Sequence, residues 1–340
     1  MSMPQSRLAA VPAYAPAPRG LAIGDMRGHG RVTEDAALAW LALDRRAGLL
    51  RSSHPERALL SVQMDGEVEW VSAYVPGTNV LETVGHADGA ELRVVDFMAV
   101  AEGRPGQAEA VAAGRFVRII TCTEGEASFR LVCAAPLASA GKCEAQAADG
   151  WHLACSRPLG AGAEVVATHV RLAAGESVAF VISEAPVQSG PALAAEALHA
   201  LGETIHYWTW WSDRCRYKGE DFDQRLREAL ALKLSFCEDA YLAEVPGMAG
   251  FTPAPSGDVS RAAASFLALG YRGECATLLS RLHGEQVSEA HRPERWSAEE
   301  GFRATLDAYV LRYGTLGLPE DVSAAIAAQQ AIVQCTKCMA

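Results

Sequence analysis

A change of hydrophobic period near residue 190 constrains the fold of this chain more than any other feature. Up to that point, short apolar or alternating segments are separated by turn signals such as Asp65-Gly66 and Pro76-Gly77, a pattern typical of antiparallel strands. From Ala192 onward the apolar residues recur with the spacing of helices. The sequence therefore predicts an α+β protein, with an antiparallel β-sandwich over 21–190 and a helical domain over 191–335.

The strand prediction follows the apolar and alternating segments of the first half. It covers residues 36–43, 58–64, 68–74, 79–84, 91–100, 115–122, 127–134, 165–172 and 177–183. The small-residue stretch from Ala135 to Gly150 is predicted to be a loop, and the Pro/Ala-rich residues 1–20 a flexible leader. Close spacing without intervening helices favours a sandwich.

The second half predicts helices near residues 192–212, 221–243, 258–283, 296–314 and 319–334. Pro246–Gly257 cannot be helical throughout, and irregular loops of this kind often carry function. The stretch from Thr204 to Leu234 joins the two halves and holds a dense aromatic cluster. We predict that activity, if any, lies in the cleft where the halves meet.

The charge and the motifs of the chain argue against several classes of function. The net charge is −11 and the pI is about 5.3, which argues against affinity for nucleic acid or an anionic membrane. The N-terminus does not resemble a signal peptide, so a cytoplasmic location is expected. No phosphate-binding loop, dinucleotide fingerprint or nucleophile elbow is present, and no cofactor is predicted.

Nine cysteines are present, and most are predicted to be reduced packing residues. The Cys335/Cys338 pair could bind zinc or cycle between redox states, but one pair supplies only two ligands. No histidine shows metal-ligand spacing. No metal site is predicted.

Several residues are candidates for chemistry. His29 and His206 could act as acid/base groups. Trp40, Trp208 and Trp211 could line a ligand site, although packing at a domain seam is the better explanation for most of the tryptophans, which leaves one or two for a pocket. Asp258 could serve as a base or cap a helix.

Two clusters and several later segments resemble bacterial glucoamylase- and trehalase-like glycoside hydrolases (family fifteen), in order over roughly residues 20–330. The segments are Ile23-Gly24-Asp25, Asp35, Trp40-Leu41, Thr78–Thr83, Val95–Met98, Trp208, Trp211, Tyr217, Gly219, Ala229-Leu230, Leu232–Leu234, Leu269–Tyr271, Arg292-Pro293, Arg295 and Leu306–Tyr309. The resemblance implies a β-sandwich followed by an α/α barrel, and inverting hydrolysis by two carboxylates.

The chain departs from that pattern where the chemistry lies. Of the substrate-contact motif only Asp258 keeps its place, and the sequence ends at Ala340, before the family's general-acid and general-base segments. About half a barrel is therefore expected. The open helical face should be covered by a second copy or by a partner protein.

The resemblance and the candidate residues together give three hypotheses. The first is a repurposed small-molecule enzyme of specialised metabolism, with Asp258 and His29 as catalytic residues. Its substrate-binding residues would be Trp40, Trp208, Trp211, Asp25, His206 and Arg295. The second is a non-catalytic carbohydrate-binding or scaffold protein. The third, an active glucosidase or trehalase, is disfavoured because no standard pair of catalytic carboxylates is present.

Overall fold

A computed structural model describes residues 21–44, 48–52, 57–87, 89–103, 110–135, 137–147, 149–161, 166–237, 240–244, 251–288, 296–320, 322–324 and 326. Two compact units are present. Of the described residues, one unit, the sheet unit, holds 21–213 together with 230–252, and the other, the helical unit, holds 214–229 and those from 253 onward. The prediction of an α+β chain with antiparallel sheets is confirmed.

The first sheet runs in the order β1-β2-β3-β5-β10-β15-β14, with β4 paired to β3, and all its pairings are antiparallel. Its strands are β1 (Leu21–Gly24), β2 (His29–Val32), β3 (Leu38–Ala42), β4 (Leu50–Arg51), β5 (Leu60–Met64), β10 (Glu126–Cys133), β14 (Gly160–Ala161) and β15 (Val166–Ala173).

The second sheet runs in the order β11-β12-β13-β16-β9-β8-β7-β6 and is also antiparallel. Its strands are β6 (Glu69–Tyr74), β7 (Leu81–Ala87), β8 (Ala90–Glu102), β9 (Ala110–Glu124), β11 (Leu137–Ala140), β12 (Glu144–Ala147), β13 (His152–Cys155) and β16 (Ser177–Ser183).

One hydrophobic core joins the two sheets. Leu41 and Leu131 of the first sheet belong to the same buried cluster as Leu92, Phe116 and Phe180 of the second. Alternation along each strand produces this result, because every second side chain points to the same face. The opposite face of the second sheet is buried too, since Phe97 and Val181 form a second cluster with Leu193 of the first helix.

Five helices are described: α1 (Ala192–Asp213), α2 (Phe222–Leu234), α3 (Ser256–Leu269), α4 (Arg272–Ser288) and α5 (Trp296–Tyr313). In α1 the buried residues are Leu193, Ala197, Thr204, Tyr207, Trp208, Trp211 and Ser212. The Thr204 hydroxyl accepts a hydrogen bond from the Val100 N–H at 3.2 Å. The start of α1 and the bounds of α5 agree with the sequence predictions.

The helix predicted over 221–243 was too long. It ends at Leu234, and a small sheet follows, formed by β17 (Phe236–Cys237), β18 (Ala240–Glu244) and β19 (Phe251–Pro253). The loop predicted over 135–150 was also wrong, because β11 and β12 lie there. Their alanine-rich sequence carries little strand signal, and their pairing with β13 places them in the sheet.

The single helix predicted over 258–283 is two helices. Gly270 closes α3 with φ 91°, a left-handed conformation that glycine adopts without strain. A Cβ there would also come within 2.9 Å of the Arg216 side chain. Most of the helix predicted over 319–334 lies outside the described residues.

Candidate functional site

The loop between β1 and β2 forms a tightly held turn. The buried Asp25 carboxylate accepts hydrogen bonds from the backbone N–H groups of Arg27 (3.1 Å) and Gly28 (2.6 Å). Met26, between them, has φ 70°, which is uncommon for a residue with a side chain. Such conformations persist where the surroundings fix them, and they concentrate at functional sites.

Gly28 is held against the rest of the sheet unit. A Cβ at this position would lie 2.5 Å from Cε of Met98 and 2.7 Å from the carbonyl oxygens of Ala42 and Leu43. Neither backbone carbonyl can move aside cheaply. The sequence Arg27-Gly28-His29 is therefore fixed in position by close backbone approach.

His29, which begins β2, lies in an aromatic cluster. Its ring stacks on Trp40 of β3 with centroids 5.7 Å apart and an interplanar angle of 16°. Phe251 contacts both rings, at 5.3 Å from His29 and 5.8 Å from Trp40. His29 and Trp40 are nearly buried, at 7% and 8% exposure. Their faces pack against one another, so this cluster orders the loop rather than offering an open platform.

Arg27 links the ends of the two sheets through two ion pairs. Its guanidinium donates to Asp44, after β3, at 3.4 Å and to Glu184, after β16, at 2.5 Å. Burial lowers the pKa of Arg27, but the Glu184 and Asp44 carboxylates outweigh burial and raise that pKa above its ordinary value. The guanidinium stays charged and both carboxylates keep a cationic partner.

The same two carboxylates line a half-open cavity of about 400 Å³. Asp149 and Trp151, from the turn between β12 and β13, also line it, together with Leu43 and Leu50. Its size falls in the range of small-molecule sites. The lining combines aliphatic side chains with three carboxylates, and its indole, Trp151, is only 5% exposed. Such a lining suits a ligand that has hydroxyl or amino groups on a C–H framework.

A second depression of about 550 Å³ lies along the β6–β7–β8 edge. It is wide open, and its polar lining is His86 with Glu67, Glu69, Glu91 and Glu124. It has no aromatic side chain other than the imidazole. Nothing in its chemistry selects a ligand over solvent.

The other candidate residues are placed as follows. Asp258 lies in the first turn of α3 and pairs with Arg261 on the surface of the helical unit. Pro255 occupies the cap position of α3, with no side-chain cap hydrogen bond. His206 is 72% exposed and faces Glu102 at 3.5 Å. Arg295 lies outside the described residues.

Trp208 and Trp211 are fully buried in α1, where their rings meet edge to face with centroids 6.2 Å apart. The ammonium of Lys233, itself 8% exposed, lies 5.8 Å from the ring centroid of Trp211. Cation–π contact of this kind stabilises packing. Within the sheet unit these tryptophans therefore act as core residues.

Buried thiols offer no ready nucleophile. Burial raises the pKa of Cys133, Cys155 and Cys275 to about 12 in each case, so these groups are protonated at neutral pH. Among the described residues no cluster of three or more His, Cys, Asp or Glu side chains could hold a metal ion. No helix in the described part of the chain is long and apolar enough to cross a membrane.

Sequence reasoning selected Asp25, His29 and Trp40 separately, and the structure brings them together around one loop. It missed Phe251 and the ion-pair partners of Arg27. Arg27 could have been found as the charged neighbour of His29 in a glycine-flanked loop. The pairing with Glu184 gives no sequence signal, because 157 positions separate the two residues.

Comparisons with protein-family models and with curated proteins found no match. The resemblance to glucoamylase- and trehalase-like hydrolases therefore stays a prediction, based on the sequence segments given above.

Proposed function

We propose that the protein binds a small saccharide in the cavity beside Arg27, on a sandwich-and-half-barrel scaffold of glycoside-hydrolase type that does not hydrolyse it. One observation carries the proposal. A cavity of about 400 Å³ combines the partly exposed side chains of Leu49 and Leu50 with the carboxylates of Asp44, Asp149 and Glu184. Carboxylates accept hydrogen bonds from sugar hydroxyls, and apolar side chains pack against the C–H faces.

Charge narrows the ligand class. Three carboxylates line this cavity and two of them pair with the Arg27 guanidinium, so an anionic ligand such as a sugar phosphate is repelled. A neutral or amino-bearing saccharide is accepted. The rigid Asp25–Gly28 loop holds Arg27 against its two carboxylates before any ligand arrives, which lowers the entropic cost of binding.

Thermal unfolding with defined probes tests this proposal. Trehalose, maltose or glucosamine at 100 times its dissociation constant should stabilise the protein by about 2.7 kcal/mol, whereas glucose 6-phosphate should not. Asp149→Asn and Glu184→Gln should reduce the effect. Glu124→Gln, in the open depression, is the matched control. If no sugar raises Tm, or the control variant behaves like the cavity variants, the proposal is wrong.

A second function, a repurposed small-molecule enzyme, is favoured by one observation. His29, a side chain of the type that most often serves as a general acid or base, begins β2 two residues after Arg27 and is held by Trp40 and Phe251. Prolonged incubation of a bound sugar followed by mass spectrometry would reveal turnover. His29→Gln should then abolish turnover while binding persists. We expect no glucose release from maltose or trehalose.

We also propose that the helical unit pairs with a second copy of the chain. Leu311 at the end of α5 and Leu316 just after it are 90% and 60% exposed, and apolar side chains at such exposure are suited to an interface. Light scattering at micromolar concentration should give twice the chain mass. A strictly monomeric protein would count against this proposal.

A further inference from the structure

The hairpin β12–β13 places two cysteines opposite each other. Glu144 faces Ala154 and Ala145 faces Leu153 in this antiparallel pair, so the next facing pair along the ladder is Cys143 and Cys155. The backbone agrees, because the Cys155 N–H donates to the Cys143 carbonyl at 2.8 Å.

This register sets the distance between the two cysteines. Directly opposite residues of a hydrogen-bonded antiparallel pair have Cα atoms about 5.5 Å apart. Disulfides span Cα separations of roughly 4.4–6.8 Å. Facing residues also project to the same side of the sheet, here the side of the buried Ala145 and Leu153.

The two thiols differ in access. Both are free, and Cys143 is partly exposed whereas Cys155 is fully buried. Burial raises the pKa of Cys155 to about 12, and the Cys143 thiolate adds to that rise. The accessible member is therefore Cys143, and Cys155 is the protected one.

We propose that Cys143 and Cys155 form a redox-active dithiol site, whose oxidant is a low-molecular-weight disulfide such as oxidised glutathione. The Cys143 thiolate attacks one sulfur of the oxidant, forms a mixed disulfide and releases one thiolate. The released thiolate then takes the proton of the Cys155 thiol, and the Cys155 sulfur attacks the Cys143 sulfur, which releases the second thiolate. Two protein thiols are oxidised and one small disulfide is reduced to two thiols.

The Cys143–Cys155 disulfide would link the two strands of the hairpin at the end away from its turn. That turn carries Asp149 and Trp151. β13 continues into the sheet through β16, and the Cys155 carbonyl accepts from the Gly190 N–H at 2.9 Å, just before α1. Oxidation would thus join the start of β12 covalently to β13, which is already paired with β16 on its other side. The proposal does not rest on ligand binding at the cavity.

Disulfide mapping of the full-length protein tests the proposal. The folded protein is incubated with oxidised glutathione, its remaining thiols are alkylated, and it is digested without reductant. No Lys or Arg lies between the two cysteines, so the tryptic peptide carrying both should be lighter by two hydrogens. Chymotryptic cleavage at Trp151 should then leave two fragments joined by the disulfide. Tm should rise by about 5 °C.

Three cysteine variants test which thiols form the disulfide. Cys143→Ser should abolish both the bond and the shift in Tm, and Cys155→Ala should leave glutathione attached to Cys143. Cys133→Ala is the matched control, because Cys133 is equally buried but faces Leu60 and Val166. It should keep the bond. The proposal is overturned if the wild type holds only glutathione at Cys143, if Cys143 or Cys155 bonds elsewhere, or if both thiols stay free.

Discussion

Two arginines of the sheet unit hold carboxylates in opposite ways. Arg118 of β9 makes two hydrogen bonds of 2.7 Å to Asp96 of β8, and both residues are completely buried. Arg27 binds two carboxylates at the ends of the sheets and is one-third exposed. One ion pair is sealed in the core and the other borders a cavity.

The two ion pairs differ in whether a ligand could reach them. Arg118 lies among strands on both sides, facing Asp96 and Phe180 across the ladders, and no described residue accepts a hydrogen bond from its Nη1 atom. A completely buried pair is out of reach of a ligand, and we expect it to specify the local packing of β8 and β9. An open pair such as that of Arg27 can exchange partners with a ligand.

Breaking the sealed pair should have the largest effect. Arg118→Leu leaves the Asp96 carboxylate buried without its counter-ion, and we expect a loss of about 3–5 kcal/mol in the free energy of unfolding. The double variant Asp96→Leu/Arg118→Leu removes both charges and should recover most of this loss. Urea denaturation measures each value. Equal losses in the single and double variants would contradict the role assigned to the pair.

The effect of Arg118→Leu should also depend on pH. Burial raises the pKa of Asp96 above its ordinary 3.8, and Arg118 opposes the rise. Without Arg118 the folded state keeps the proton to a higher pH than the unfolded state. Stability is then lost as pH rises from 3.8 through the folded pKa, by up to about 1.4 kcal/mol per unit. Denaturation at pH 4 and pH 7 should show the larger defect at pH 7.

Gly28→Ala should have an intermediate effect and disturb the open pair indirectly. The new methyl group would meet Met98 and two backbone carbonyls, so overpacking should cost about 1–3 kcal/mol. The neighbouring Arg27 should shift with the loop, and sugar binding should weaken. Gly202→Ala, in α1, is the control, because nothing lies within 4 Å of the position a Cβ would take there. Binding should persist in that control.

Arg27→Gln should have the smallest effect on stability, below about 1 kcal/mol, because the pair is partly exposed. Its effect on recognition should be larger. Without the guanidinium the cavity keeps three carboxylates, so glucosamine should gain affinity relative to glucose. Calorimetric titration with both sugars measures the ratio. An unchanged ratio would show that Arg27 does not contribute to the charge of the site.

The sequence predicted elements whose signal is local. α1 was predicted over 192–212 and α5 over 296–314, because their helical spacing runs for several turns. The strand predicted over 68–74 matches β6 closely. The errors arose where pairing overrides local preference: alanine-rich β11 and β12 are strands through their neighbours, and α2 stops where the β17–β18 hairpin begins.

The candidate site also combines features that have a local sequence signal with features that depend on strand pairing. Asp25, His29 and Trp40 could be selected by residue type and by their position near glycine-rich turns. Their arrangement could not be predicted, because it depends on which strands pair and in what register. The register of β2 with β3 sets His29 beside Ala42 and Arg31 beside Trp40, and no short stretch of sequence contains that information.

β6 forms one edge of the second sheet. This edge strand affects how readily the protein would aggregate at high concentration. Residues alternate between exposed and partly buried along it, and Val71 is 57% exposed. A free edge of this kind can pair with the edge of another molecule and seed aggregation. Exposed Glu67 and Glu69 at its start place negative charge where a second strand would dock. Repulsion between these carboxylates and those of a second copy should therefore oppose intermolecular strand pairing at this edge.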